Sequence, residues 1–215
     1  MKKYFIILTL LSGSALVAQE VNKPVQISHY VFESFTKGKV LLKSGAVSDQ
    51  LLNYNSITGE MIFDNGGKLL AIGDPAAVDT VYIEGRKFIP VSDKFYEILT
   101  TSSTPLMLEF SCTVEDPSVS IGYGNSTPGT NYGTVKNLNG NSRAYELKLP
   151  SDFKITPAYT YWIYKAGKFQ KANNAQQLSK IFSGKKDFIK EFVKENNTSF
   201  SKREDVIKLV QAVEE

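Results

Sequence analysis

Glu60-Met61-Ile62-Phe63-Asp64-Asn65-Gly66-Gly67-Lys68-Leu69-Leu70-Ala71-Ile72 decides how this chain folds. Two short apolar runs are parted by Asp-Asn-Gly-Gly, residue types that accept the positive φ of a tight turn. A unit of this kind is an antiparallel hairpin, and its neighbours repeat the pattern. Upstream, residues 39–43 stop at Ser44-Gly45, and residues 51–55 pass through Ser56-Ile57-Thr58-Gly59 into the hairpin. Downstream come strand patterns at 78–83, 88–91, 94–99 and 106–114. They are split by Gly73-Asp74-Pro75 and by Glu84-Gly85-Arg86-Lys87. Alternation sets Val81 and Ile83 opposite Thr80 and Tyr82. Strands spaced about eight to twelve residues apart with such turns predict an antiparallel meander, roll or sandwich. Pro90 and Pro105 belong at strand ends or edges, where no ladder donor is lost.

The period changes after Asn174. Leu178, Ile181 and Phe182 share one helical face. Phe188, Ile189, Phe192 and Val193 repeat that spacing, and so do Val206, Leu209, Val210 and Val213. Ser183 reads as one helix N-cap, and Ser201 with Glu204 as a capping box for the last helix. Three short helices are expected, packed on the sheet or on each other. The fold class is therefore α+β, with a β-rich body over 19–172 and C-terminal helices over 173–215.

Within the body, residues 118–142 break the pattern. Gly, Asn, Ser and Thr fill 17 of these 25 positions. So little apolar surface cannot offset the entropy of ordering, which predicts a mobile loop carrying Tyr123 and Tyr132. Strand patterns return at 144–149, 159–164 and 168–171.

The chain opens with Lys2-Lys3, a short apolar run to Leu11, then Ser12-Gly13-Ser14-Ala15 and Val17-Ala18-Gln19. These are the parts of a secretory signal peptide over 1–18, with cleavage expected after Ala18. Removing it from 215 residues leaves 197, enough for a substantial core at 42% apolar content. Without Lys2 and Lys3, 23 basic residues face 22 acidic ones, a net charge of +1. That balance gives no case for nucleic acid. No mature segment has transmembrane length.

Cys112 is the single cysteine, so no internal disulfide forms. It reads as a buried thiol within a strand, and His29, the single histidine, as a packed or solvated side chain. With so few soft ligands, neither a zinc site nor another cofactor is expected. Ser-x-x-Lys occurs at Ser151–Lys154 and Ser183–Lys186, without the helix start and buried lysine that acyl-enzyme chemistry requires. Glu60, Asp64, Glu84, Glu97 and Glu109 supply carboxylates for a glycosidase pair, yet each fits an outward strand position. Asp79-Thr80-Val81 matches a bacterial O-glycosylation triplet, although a strand interior suits Thr80 better.

Aromatic side chains form the most promising cluster. Tyr159, Tyr161 and Ile163 alternate with Thr160, Trp162 and Tyr164, ahead of Phe169. Rows of this kind stack on sugar rings or receive a partner chain when exposed. The expected arrangement has the C-terminal helices covering the Thr160, Trp162 and Tyr164 face. Tyr161, Trp162, Tyr164, Tyr123 and Tyr132 are the candidate ligand contacts.

Several blocks extend this reading: Leu51-Leu52-Asn53-Tyr54-Asn55, Glu60-Met61-Ile62-Phe63, and Ile83 with Phe88-Ile89-Pro90. With Phe95-Tyr96-Glu97-Ile98-Leu99 and the Lys-rich tail from Phe182 to Leu209, they span most of the mature chain. In these blocks the chain resembles exported β-rich proteins of Bacteroidota-type bacteria. The resemblance implies a periplasmic or secreted location in a Gram-negative cell and attaches no activity to any residue. The expected function is a non-catalytic cell-envelope protein that binds another protein or an envelope component. A carbohydrate-binding module is one alternative and a carboxylate-based hydrolase the other.

Overall fold

The computed structural model describes residues 29–115, 120–121, 125–126 and 154–215. The signal segment, Tyr123, Tyr132 and the 144–149 strand pattern lie outside the described residues. Of the expected mobile loop, only Ser120–Ile121 (β9) and Asn125–Ser126 (β10) are described, and they pair antiparallel.

Every other described strand belongs to one sheet. Its strands are Thr36–Leu42 (β1), Val47–Asn55 (β2), Glu60–Asn65 (β3) and Lys68–Ala71 (β4). Val78–Ile83 (β5), Arg86–Val91 (β6), Lys94–Ile98 (β7) and Leu106–Glu115 (β8) follow. Lys154–Lys165 (β11) and Lys168–Lys171 (β12) complete it. The spatial order is β12-β11-β8-β7-β6-β5-β1-β2-β3-β4, with every pairing antiparallel. Two meanders thus meet where β1 pairs with β5.

Turn chemistry sets the registers. Asn65 faces Lys68 across Gly66-Gly67, whose φ values of 64° and 90° suit the two-residue turn read from the sequence. Asp64 accepts a hydrogen bond from the Gly67 N–H at 2.6 Å, which closes that turn. Ala166-Gly167 joins β11 to β12 in the same way.

The sheet curls on itself. The Phe95 N–H of β7 donates to the Gly59 carbonyl at 3.0 Å, and the Tyr54 hydroxyl donates to the Phe95 carbonyl at 2.9 Å. These bonds tie the β2–β3 turn to a strand five places away in the sheet order. Inside the curl lie Leu52, Tyr54, Met61, Val81, Ile83, Phe88, Phe95 and Leu108, all buried. Aromatic contacts knit this inner face, including Tyr54 near-parallel to Phe88 and tilted against Phe110.

Three helices close the inner face: Ala175–Ile181 (α1), Lys186–Glu195 (α2) and Arg203–Glu214 (α3). Leu178, Ile181, Ile189, Val206, Leu209, Val210 and Val213 are buried in the same cluster as the sheet residues. Asn174 caps α1 by accepting from the Gln177 N–H at 2.9 Å. Two expected caps do not form. Ser183 opens a short 3₁₀ turn ahead of α2, where Lys185 is the N-cap without a side-chain bond. Lys202, not Ser201, precedes α3, and Asp205 reaches back to the Ser199 N–H at 3.0 Å. The Asp205 carboxylate satisfies a backbone donor before the helix, so the capping box has no vacant role. No helix among the described residues is long and apolar enough to cross a membrane.

Candidate functional site: an aromatic face on the outside of the sheet

Alternation along β11 sends Tyr161 and Ile163 inward and Trp162 and Tyr164 outward, and the helices take the inward side. Tyr161 is only 3% exposed, so it is a core residue and not a ligand contact. This reverses the expected arrangement: the face carrying Trp162 is the one the helices leave open. Burial of Ile163, Leu106 and Leu108 with α3 offers more apolar contact than the Thr160 side does.

On the outer face Trp162 is half-buried, and Tyr164 and Phe169 are 42% and 41% exposed. Tyr96, two strands away on β7, packs against them but is itself buried, at 8% exposure. Its ring lies 6.1 Å from Trp162 with only 19° between the planes. Phe169 meets Tyr96 nearly edge-on at 6.2 Å and Tyr164 at 4.9 Å. Lys171, directly opposite Trp162 in the β11–β12 register, holds its ammonium 5.5 Å from the indole centroid.

Glu109 anchors the group. It accepts from the Trp162 indole N–H at 2.9 Å and, more loosely, from the Tyr96 hydroxyl at 3.4 Å. Its other oxygen takes a charge-assisted bond from Lys94. Burial alone pushes the Glu109 carboxyl up. The bonds from Lys94 and Trp162, with the Lys94 charge, outweigh burial and hold it below the usual carboxylate range. The Tyr96 phenol moves the other way, up to about 12, through burial and the adjacent Glu109 charge. A locked indole, a near-parallel phenol and an ion pair make a rigid, partly apolar surface.

The remaining carboxylates do other things. Glu97 is 1% exposed on the inner face, not outward as its strand pattern suggests. Arg86 grips it through Nε at 2.9 Å and Nη2 at 2.8 Å, and Arg203 of α3 adds a bond at 2.5 Å. Arg86 in turn lies over the rings of Phe32, Phe88 and Phe110, at 4.7, 5.3 and 5.1 Å. Two guanidinium groups compensate the buried charge and tie α3 to the sheet. Glu97 and Glu109 therefore sit on opposite faces, with no cleft between them. Burial raises Glu60, with the Asp93 charge adding to it, while Glu84 sits at an exposed turn. Thr80 is buried in β5 and donates to Asp79 at 2.9 Å, away from any modifying enzyme. Burial raises the half-buried Cys112 thiol, and it lowers His29, which packs against Tyr30 at 4.2 Å. Among the described residues, no three His, Cys, Asp or Glu side chains are grouped to hold a metal.

The sequence pointed to Trp162 and Tyr164, offered Glu109 only as an outward carboxylate for a glycosidase pair, and missed Tyr96 and Lys94. Alternation in β7 does put Lys94, Tyr96 and Ile98 on one side, yet only the strand order brings that side to Trp162. Comparison with family models, curated proteins and solved structures finds no match to this chain.

Proposed function

We propose that the protein is an exported, non-catalytic binding protein of the cell envelope, and that the component it binds is a glycan held on the outer face around Trp162. The observation that carries this reading is the outer aromatic patch of Trp162, Tyr164 and Phe169, left open by the helices, with Trp162 backed by the buried Tyr96 and fixed by Glu109. Axial C–H bonds of a pyranose carry partial positive charge and settle on the electron-rich faces of such rings. Lys94, beside the rings, keeps ammonium donors beyond its bond to Glu109 for hydroxyl groups. Binding without turnover fits the carboxylates, because Glu97 is consumed by two arginines and Glu109 by Lys94. The signal segment, read from Lys2 to Ala18, supports the envelope location.

Trp162 is the only tryptophan, so its emission reports on the site directly. Adding a bound glycan is expected to shift and quench that emission. Tyr164→Ala is expected to weaken the glycan several-fold, because it removes an exposed ring from the patch. A panel of envelope and plant polysaccharides that leaves the emission unchanged, and does not retard the protein in affinity electrophoresis, would refute the glycan reading. Mass spectrometry of the cell-associated protein is expected to find a chain starting at or near Gln19. An intact Met1 would refute export by signal cleavage.

A further inference from the structure

Hydrogen-bond registers across six strands line up one transverse row on the outer face. Lys171 of β12 stands opposite Trp162 of β11, which stands opposite Met107 of β8. Met107, only 1% exposed and so covered by its neighbours, faces Ile98 of β7, Ile98 faces Lys87 of β6, and Lys87 faces Tyr82 of β5. At a strand spacing of about 4.8 Å this row is about 24 Å long, with its two lysines about 19 Å apart. Tyr82 is 41% exposed, an aromatic counterpart to Trp162, and the register continues beyond it to Lys39 of β1 and Asp49 of β2.

Between Lys171 and Tyr82 the charge along the row is one-sided. Glu109 is the carboxylate beside Trp162, and Lys94 already neutralises it. Among the described residues, neither Lys87 nor Lys171 forms an ion pair with a carboxylate. Two cations without counter-charges, each next to an aromatic ring, face outward along this row. From this we infer that the glycan is an acidic linear polysaccharide, lying across the strands along the row from Lys171 to Tyr82. Its sugar rings stack at Trp162 and Tyr82, and its carboxylate or sulfate groups meet Lys171 and Lys87. The inference rests on the glycan reading above and adds the class of polymer. Nucleic acid is the competing polyanion, and a mature charge of +1 gives it little long-range attraction.

The test uses the mature chain, wild type and Lys87→Gln/Lys171→Gln, titrated with three probes while Trp162 emission is followed. The probes are polygalacturonate, the same polymer fully methyl-esterified, and a single-stranded oligonucleotide. Polygalacturonate is expected to bind more tightly than its neutral ester. The double variant is expected to weaken the acidic polymer about tenfold, and to weaken it far more than the neutral ester. Salt near 1 M, where the Debye length is about 3 Å, should abolish the same difference. Equal affinity for both polymers, unaffected by the double variant, would overturn the acidic class and leave the glycan reading standing. An oligonucleotide bound as tightly as polygalacturonate would overturn it in favour of a general polyanion site. Silence with both polymers would overturn the glycan reading itself.

Discussion

Glu109 sits between opposing influences, and its ionisation decides whether Trp162 stays fixed. Its carboxyl lies below the ordinary value of 4.5 because Lys94 and Trp162 bond the charged form. A depressed folded-state value contributes stability above the unfolded value, and that contribution disappears as pH falls through the folded value. The window is therefore acidic, from pH 4.5 downward. Trp162 emission is expected to titrate in that range, while far-UV circular dichroism still reports a folded sheet. Glu109→Gln should lack the transition. A wild-type emission that stays flat until the protein unfolds would mean that the indole bond is not made in solution. Residue-level reading of the sequence reached Trp162 by alternation but misjudged Glu97. The arginines that admit Glu97 to the interior lie 11 and 106 residues away, and no local pattern registers such distant compensation.

Among the elements, α3 tests how the helices belong to the fold. A helix of 12 residues is marginal in water by itself, so its stability comes from its buried stripe. Val206, Leu209, Val210 and Val213 supply that stripe, and both ends are pinned: Arg203 to Glu97, Glu214 to Ser102 and Thr104. Leu209→Ala is expected to lower the unfolding free energy by about 2–5 kcal/mol in chemical denaturation. The native emission of Trp162 should be unchanged, because α3 lies on the face away from Trp162. An unaltered denaturation midpoint would show that the stripe is not part of the monomer's core. The helical period made this stripe legible from sequence, as two-residue turns made the hairpins legible. Which side of β11 the helices would choose was not legible. Tyr159, Tyr161 and Ile163 differ little in apolar character from Thr160, Trp162 and Tyr164, so only the summed burial across neighbouring strands decides it.

At the scale of the whole molecule, the curl of the sheet and the geometry of the outer face meet at Gly59. The strand inventory was readable from the sequence, but the β1–β5 pairing and the closure of β7 onto the β2–β3 turn were not. Both join segments far apart in the chain, with no turn to signal them. Gly59 has a φ of 78°, and a Cβ there would lie 2.8 Å from the Lys94 side chain. Lys94 is the partner of Glu109, which holds Trp162. Gly59→Ala therefore imposes two separate costs. The left-handed backbone disfavours any Cβ by about 1–2 kcal/mol, and the new methyl group pushes Lys94 off its path to Glu109. Gly67→Ala is the matched control, since its φ is 90° and nothing lies within 4 Å of the added atom. Both variants are expected to unfold at lower denaturant, but only Gly59→Ala should shift the native emission of Trp162. If the two variants leave that emission equally unchanged, closure of the sheet and ordering of the aromatic face are independent.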